Sequence, residues 1–425
     1  MASIVTTKFR VHNAEQFAEA FSETSNTIMY LFIGKNTAFP NDNVPPTPVN
    51  STANIEFTPW RDMYAAKRIT TSDVTHAIER YDWASGTVYD QYDDQDTDLM
   101  EDDFYVMTED YNVYKVLSNA NGTASTTKPT GVSTSPFTTA DGYIWKYMYT
   151  VTTAKALKFL TNDYIPVQTL ASDDGSDQWD VQTAAVDGGI HVIKVTSGGS
   201  GYATAPAVTI TGDGTGATAN ATITANVVTS VTITAAGTGY TRASVAFASG
   251  AAAATAIISP KGGHGSNAVE ELGGKFIMLN VRLDGTESNT FSTANEFRQV
   301  GIIRDPYLYG TTTRAVASSF RQSFKYQLSS ISGTFTLDET ITSGSNTASA
   351  VEFTTPNLFT TLPVHLPFAN TASVTGGTSG ATGTIAAITT PGLQPYSGDI
   401  IYVEDRVPIS RAADQIEDVK LIIQF

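Results

Sequence analysis

The chain has 425 residues, 41% of them hydrophobic and only 16% charged, with 25 Lys and Arg against 42 Asp and Glu for a formal charge of −17. That length allows two to three domains or one large core carrying insertions, and the acidic balance argues against wrapping nucleic acid, which needs clustered cations. With no cysteine there is no disulfide, thiolate metal site or cysteine nucleophile, as expected of a chain folded in a reducing cytoplasm; the sequence shows no signal core and no long apolar run.

In chain order, Ile4 to Val11 reads as a strand, with Asn13 and Gln16 placed as a capping box for a helix whose apolar face is Ala14, Phe17, Ala18 and Phe21. Thr27 to Ile33 reads as the next strand, ending at Gly34. The Pro- and Asn-rich stretch from Phe39 to Pro59 reads as a surface loop. A short helix is expected near Asp73 to Ile78, then a strand pair at Phe104 to Met107 and Tyr111 to Leu117. Asp141-Gly142 marks a turn into Tyr143 to Val151, whose two-residue period sends Tyr143, Trp145, Tyr147 and Tyr149 to one side. Such a stripe is either core packing or a sugar-stacking platform, and core packing is the better expectation.

Composition shifts near Gly188. The segments IKVTSGGSGY (Ile193 to Tyr202) and VTITAAGTGY (Val231 to Tyr240) repeat one strand, glycine turn and tyrosine, so residues 186–262 read as an inserted, internally duplicated β module. A second insertion, 329–395, carries related hairpins beginning at Ile341 and Val374. Phe276 to Leu283 and Phe297 to Ile303 read as core strands, Ile400 to Val403 as another, and Glu404 to Pro408 as the connection after it. Val419, Leu421, Ile423 and Phe425 then alternate with Lys420, Ile422 and Gln424 to the last residue, a strand with one strongly apolar face. The expected fold is mainly β: a β-sandwich core with short helices on connecting loops, assembled from 1–185, 263–328 and 396–425, plus the two inserted small β modules.

Chemistry is sparse. Asp94, Asp96 and Asp98 have the spacing of a calcium loop, but Leu99 stands where a Gly is needed and Tyr105 where the bidentate Glu should be. Ten acids and no Lys or Arg lie between Asp90 and Asp110, among them Asp93, Glu101, Asp102 and Asp103, so the run reads as a solvated acidic loop or a dock for a cation or basic partner. His12, His76, His191, His264 and His365 show no ligand spacing, and Gly212-Asp213-Gly214-Thr215-Gly216 lacks the Lys and helix of a phosphate cradle. A pair of carboxylates for glycoside hydrolysis is not singled out by spacing among 42 acids. No catalytic, cofactor-binding or metal residue is assigned, and no enzyme activity or cofactor is expected.

Several segments share a pattern. IYVEDRVPI and DQIEDVKLIIQF near the C-terminus, Asp141 to Tyr149 (DGYIWKYMY), Phe297 to Ile303 (FRQVGII) with Asp305-Pro306, the opening Ile4 to Arg10 and, more weakly, Tyr81-Asp82-Trp83 resemble, in order, the baseplate wedge proteins of T-even-like contractile-tailed phages. The matched parts cover about half the chain and leave both repeats outside. The resemblance implies a β-sandwich structural subunit of the virion tail baseplate, homodimeric within each wedge and bound to other wedge subunits, with no membrane or nucleic-acid partner. It also implies a share in the rearrangement that accompanies tail contraction. The alternative is a tail-tip carbohydrate-binding or host-adhesion protein, with the aromatic strand or the modules touching surface glycans. The Pro-rich loop, the acidic loop and the segment Arg298 to Tyr309 are the candidate contact segments.

Overall fold

The computed structural model describes residues 3–23, 27–287 and 289–425. It is mainly β, with a few short helices on the connections, and it divides into two units. The first comprises Met1–Gln16, Thr75–Met278 and Ile422–Phe425, the second Phe17–Val74 and Leu279–Leu421. The segments read as one interrupted core are thus distributed over both. No helix among the described residues is long and apolar enough to cross a membrane.

In the first unit, a four-stranded sheet runs in the order Tyr105–Met107, Asn112–Ser118, Ile144–Thr150, Phe137–Thr138. Both of its faces are covered. Tyr114, Val116, Tyr143, Trp145 and Tyr147 pack with Val181 of the helix Asp177–Thr183 on one side. Val113, Leu117, Met148 and Tyr149 pack on the other with Ile78 and Ile165, from the paired strands Val74–Glu79 and Tyr164–Val167.

The expected four-aromatic stripe is therefore three plus one. Val113 pairs with Tyr149 but the next residue, Tyr114, pairs with Tyr147, so Met148 is an extra residue in the ladder. A bulge of this kind breaks the two-residue alternation and turns Tyr149 to the opposite face. All four rings are at most 3% exposed, which excludes a sugar platform and makes them core.

The module that follows is built from Ile190–Ser197, Val208–Gly212, Thr215–Thr224, Val227–Thr238, Ala243–Phe247 and Ala253–Ile258, in one four-stranded and one two-stranded sheet. Its duplication is visible in the hydrogen bonds. Ile193 and Val231, the equivalent residues of the two repeats, pair with each other. Tyr202 N donates to Asn226 O at 3.1 Å, and its counterpart Tyr240 N donates to Gly188 O at 3.2 Å. Both tyrosines are buried, and their hydroxyls accept from Ala252 N and Ala217 N. The two halves pack about a local twofold, and Ile190, Ile193, Tyr240, Ala256 and Ile258 form a small core of their own.

In the second unit, a five-stranded antiparallel sheet has the order Ser319–Arg321, Met63–Arg68, Met29–Gly34, Phe297–Arg304, Asp399–Ile409. Gly301 faces Phe32 so closely that a Cβ there would lie 2.3 Å from the ring and 2.4 Å from Tyr402 O, so only glycine fits. A closed six-stranded barrel follows, from Phe324–Ser332 to Thr382–Thr389, and the two expected hairpins lie side by side in it, Ile341 opposite Gly376. Tyr30, Phe32 and Trp60 from the sheet and Phe324, Tyr326, Leu358 and Ile385 from the barrel belong to one continuous core. The barrel is integral to this unit's interior.

Several local expectations need correction. Residues from Thr7 are helical (Thr7–Glu19), and the cap is Thr6, whose Oγ1 accepts from Phe9 N; Asn13 lies inside the helix. Asp73 closes a single turn with Thr70, and the β-branched residues after it form the strand Val74–Glu79 in place of a helix. The Pro-rich loop contains the short helix Thr58–Asp62, with Pro59 in its first turn. Glu404 to Pro408 continues the strand Asp399–Ile409, because this is the sheet edge and the ladder skips from Gln299–Asp405 to Phe297–Ile409, sparing Pro408 a pairing role. In the C-terminal strand Ile416–Gln424, Val419 and Leu421 are buried as expected, while Ile423 and Phe425 are only half-buried.

Two stability tests follow. Removing Val419–Phe425 deletes buried Val419 and Leu421 from the second unit and, from the first, Ile422 packed against Ala77, Phe159 and Phe276. At about 1.5–3 kcal/mol per buried side chain the loss is comparable with the usual margin of about 5–15 kcal/mol, and the deletion also strips a strand from its sheet, so the truncated chain should be insoluble on expression. In the barrel, the Glu339 carboxylate accepts from Thr336 N, Thr378 N, Ser379 N and Ser379 Oγ at 2.8–2.9 Å. Burial opposes its ionisation, yet these donors hold its pKa below the ordinary value. Glu339→Gln should cost roughly 1–3 kcal/mol in urea unfolding. Because the folded pKa is depressed, the carboxylate's contribution is present above the ordinary glutamate range and fades as pH falls through it.

Candidate functional sites

The acidic loop is tied down by the chain's own cations. Lys194 reaches Asp93 at 3.2 Å, Lys275 reaches Glu101 at 3.3 Å, and Lys128 holds Glu109 and Asp110 at 2.8 and 3.1 Å. Asp94 Oδ1 accepts from Ile258 N, fastening the loop to the last strand of the repeat module. Asp96 caps its own turn by accepting from Asp98 N, and Leu99 is buried beneath. No group of three potential metal ligands gathers among the described residues. Asp102 is held above the ordinary range by desolvation and by the charges of Asp90, Asp96 and Asp98. That is the residue of the self-repulsion expected from the sequence.

Beside this loop lies a cavity of about 260 Å³, walled by Tyr92, Asp94, Leu99, Lys115 and Glu271 and rimmed by Lys8 and Glu270. Its floor is an ion pair: Lys115, with no exposed side-chain surface, donates to Glu271 Oε2 at 3.0 Å and lies 4.1 Å from the Tyr92 ring centroid. Strand pairing puts Lys146 directly opposite Lys115. Burial lowers the pKa of both lysines, and Lys146 falls to about 8 with Lys115 adding repulsion. Glu271 Oε1 meanwhile accepts from Gly265 N at 2.8 Å and Asn267 N at 3.2 Å, so one carboxylate compensates a buried cation and fixes a loop.

Two of the histidines, scattered in sequence, meet in space. His191 and His264 are 73 positions apart in sequence, yet their ring centroids are 5.6 Å apart, and His264 meets the Tyr92 ring edge to face at 4.9 Å. Desolvation, reinforced by Lys146, lowers His191 to about 4; burial, then Lys115, His191 and Lys146, keep His264 neutral well below its ordinary range. No local motif signals this pair, because tertiary packing alone brings them together. His76 Nδ1 contacts Gly274 O at 3.0 Å, and His12 and His365 are exposed.

Gly212 to Gly216 forms a tight turn between the strands Val208–Gly212 and Thr215–Thr224, which belong to different sheets, with Asp213 accepting from Thr241 N, Thr241 Oγ1 and Arg242 N. Of the candidate contact segment Arg298 to Tyr309, the first part lies in the strand Phe297–Arg304, flanked by a strand on each side, and Arg298 is buried, paired with Asp42 and Glu296 at 2.9 Å and donating to Asn36 O, while Tyr307 to Tyr309 are half-exposed. Arg298 anchors the Pro-rich loop from inside. That loop does expose Val44 and Val49.

Lys115→Met leaves Glu271 buried without its cation and should cost about 3–5 kcal/mol in urea unfolding; adding Glu271→Leu should recover a large part of it. No family model matches the sequence, and no curated protein is significantly similar to it.

Proposed function

We propose that this chain is a structural subunit of a contractile-tail baseplate wedge, acting through protein contacts in the virion tail. The observation that carries the reading is the meeting of two of its family-like segments. FRQVGII and IYVEDRVPI, about a hundred residues apart, are adjacent strands, with Gly301 opposite Val403 and Ile302 opposite Tyr402. Segments that share one sheet are constrained together, which favours a common origin for the pattern over a chance set of short matches. The aromatic segment DGYIWKYMY likewise lies in an interior, so its side chains serve packing. That burial also removes the basis for a glycan platform on this strand.

For the contact surface, the strand Asp399–Ile409 is the natural choice. It is the outermost of its sheet, it exposes Ile401 and Val407, and with Pro45 it borders an open groove of about 560 Å³. An outer strand offers backbone groups and apolar side chains to a neighbour, here a second copy or another wedge subunit. The purified chain should be a dimer by light scattering and should enter a discrete complex when mixed with the other wedge proteins. Val407→Asp should weaken that assembly at least tenfold with no loss of thermal stability. A monomer that joins no complex would defeat the proposal.

A further inference from the structure

The repeat module joins the rest of its unit through a two-stranded neck, beside the acidic-loop contacts at Lys194 and Ile258 and the packing of Ile257 with Ile78 and Ile165. The chain enters at Val186 to Gly189 and leaves from Ile258 to Asn267. Gly189 N donates to Ser259 Oγ at 3.0 Å, Ser259 N returns a bond to Gly189 O at 2.9 Å, and Gly262 N donates to Asp187 Oδ1 at 2.7 Å. The approach is tight: a Cβ on Gly263 would lie 2.4 Å from Val186 O. His191 stands at the start of the entering segment's strand and His264 in the leaving segment, so their ring contact spans the neck.

The surroundings are cationic. Lys115 and Lys146 face the imidazoles from the aromatic sheet. Glu271 faces them from the short helix Ala268–Glu271, its Oε2 3.9 Å from His264 Nδ1 but already bound to Lys115. Tyr92, with Asp93 and Asp94 near its hydroxyl, completes the acidic-loop side. His264 Nδ1 makes no hydrogen bond to a protein group. Within the unit the module keeps its own small core, so the neck can open while the module's sheets persist.

We propose that this neck is an acid-operated latch, in which protonation of the His191 and His264 pair against Lys115 and Lys146 opens the junction and releases the repeat module. The device is independent of what the chain assembles with. A buried and a half-buried neutral imidazole become two adjacent cations beside two lysines, and hydration on opening relieves them. The sign follows from linkage. Folded pKa values lie below the ordinary histidine value of 6.5, so the open state binds more protons. The latch is therefore fully closed above pH 6.5 and loses stability as pH falls toward the folded values.

Hydrogen exchange followed by mass spectrometry on the full chain, at pH 7.5, 6.5 and 5.0 with correction for intrinsic rates, reads the latch. Peptides covering Asp187–Gly189 and Ser259–Gly263, which hold the neck's amides, should lose about ten- to a hundredfold protection between pH 6.5 and 5.0. Peptides around Val231 should change far less. His191→Gln with His264→Gln should flatten this dependence. Lys146→Met, which keeps both histidines but removes a repelling cation, should reduce it and serves if the double variant fails to fold. A wild-type pH dependence in the variant that folds, or imidazole NMR signals showing both histidines titrating near 6.5 in the folded chain, would overturn the proposal.

Discussion

The buried pair of Lys115 and Glu271 is the interaction on which the first unit depends. Its lysine belongs to the central part of the aromatic sheet and its carboxylate to the helix that follows the repeat module. Because Glu271 also accepts two backbone N–H groups, the same charge organises the loop by which the chain leaves the module. A buried ion pair contributes little net stability over an apolar replacement, but losing either partner leaves an uncompensated charge. Its effect is to fix one geometry: the module's exit, the acidic loop around Tyr92 and the facing lysines are all defined against it.

The second unit rests on a different constraint, close packing of a sheet on a barrel. Phe32 sits against Gly301, and Tyr30 and Phe32 share one core with Phe324 and Tyr326. Here Arg298 has the anchoring part, holding the Pro-rich loop through Asp42 and Asn36 O. The resemblance of FRQVGII and IYVEDRVPI to wedge proteins therefore falls on residues with evident packing roles: a required glycine, a buried arginine and an outer strand.

Much of this was legible locally. Strands buried along nearly their whole length, such as Asn112–Ser118 and Phe297–Arg304, declare themselves by their β-branched and aromatic composition, which suits a pleat covered on both faces. The duplication was legible as well, since equal sequences make equal hydrogen bonds, as at Tyr202 and Tyr240. Misreadings cluster where a side chain competes with the pattern. Thr6 captured the helix start from Asn13, Asp73 closed a turn and left the β-branched run to a strand, and the bulge at Met148 reversed Tyr149.

By itself, then, the sequence determined the β class, the repeats, the turn at Asp213 and the diffuse character of the acidic run, since each follows from propensities and spacing within about ten residues. Only tertiary structure decided that the second repeat closes into a barrel sharing its unit's core, that Arg298 is interior, and that His191 and His264 stand together among lysines. The physical reason is the same in each case. Burial, and with it the state of a charge, depends on what arrives from distant parts of the chain, and a local pattern carries no record of that arrival.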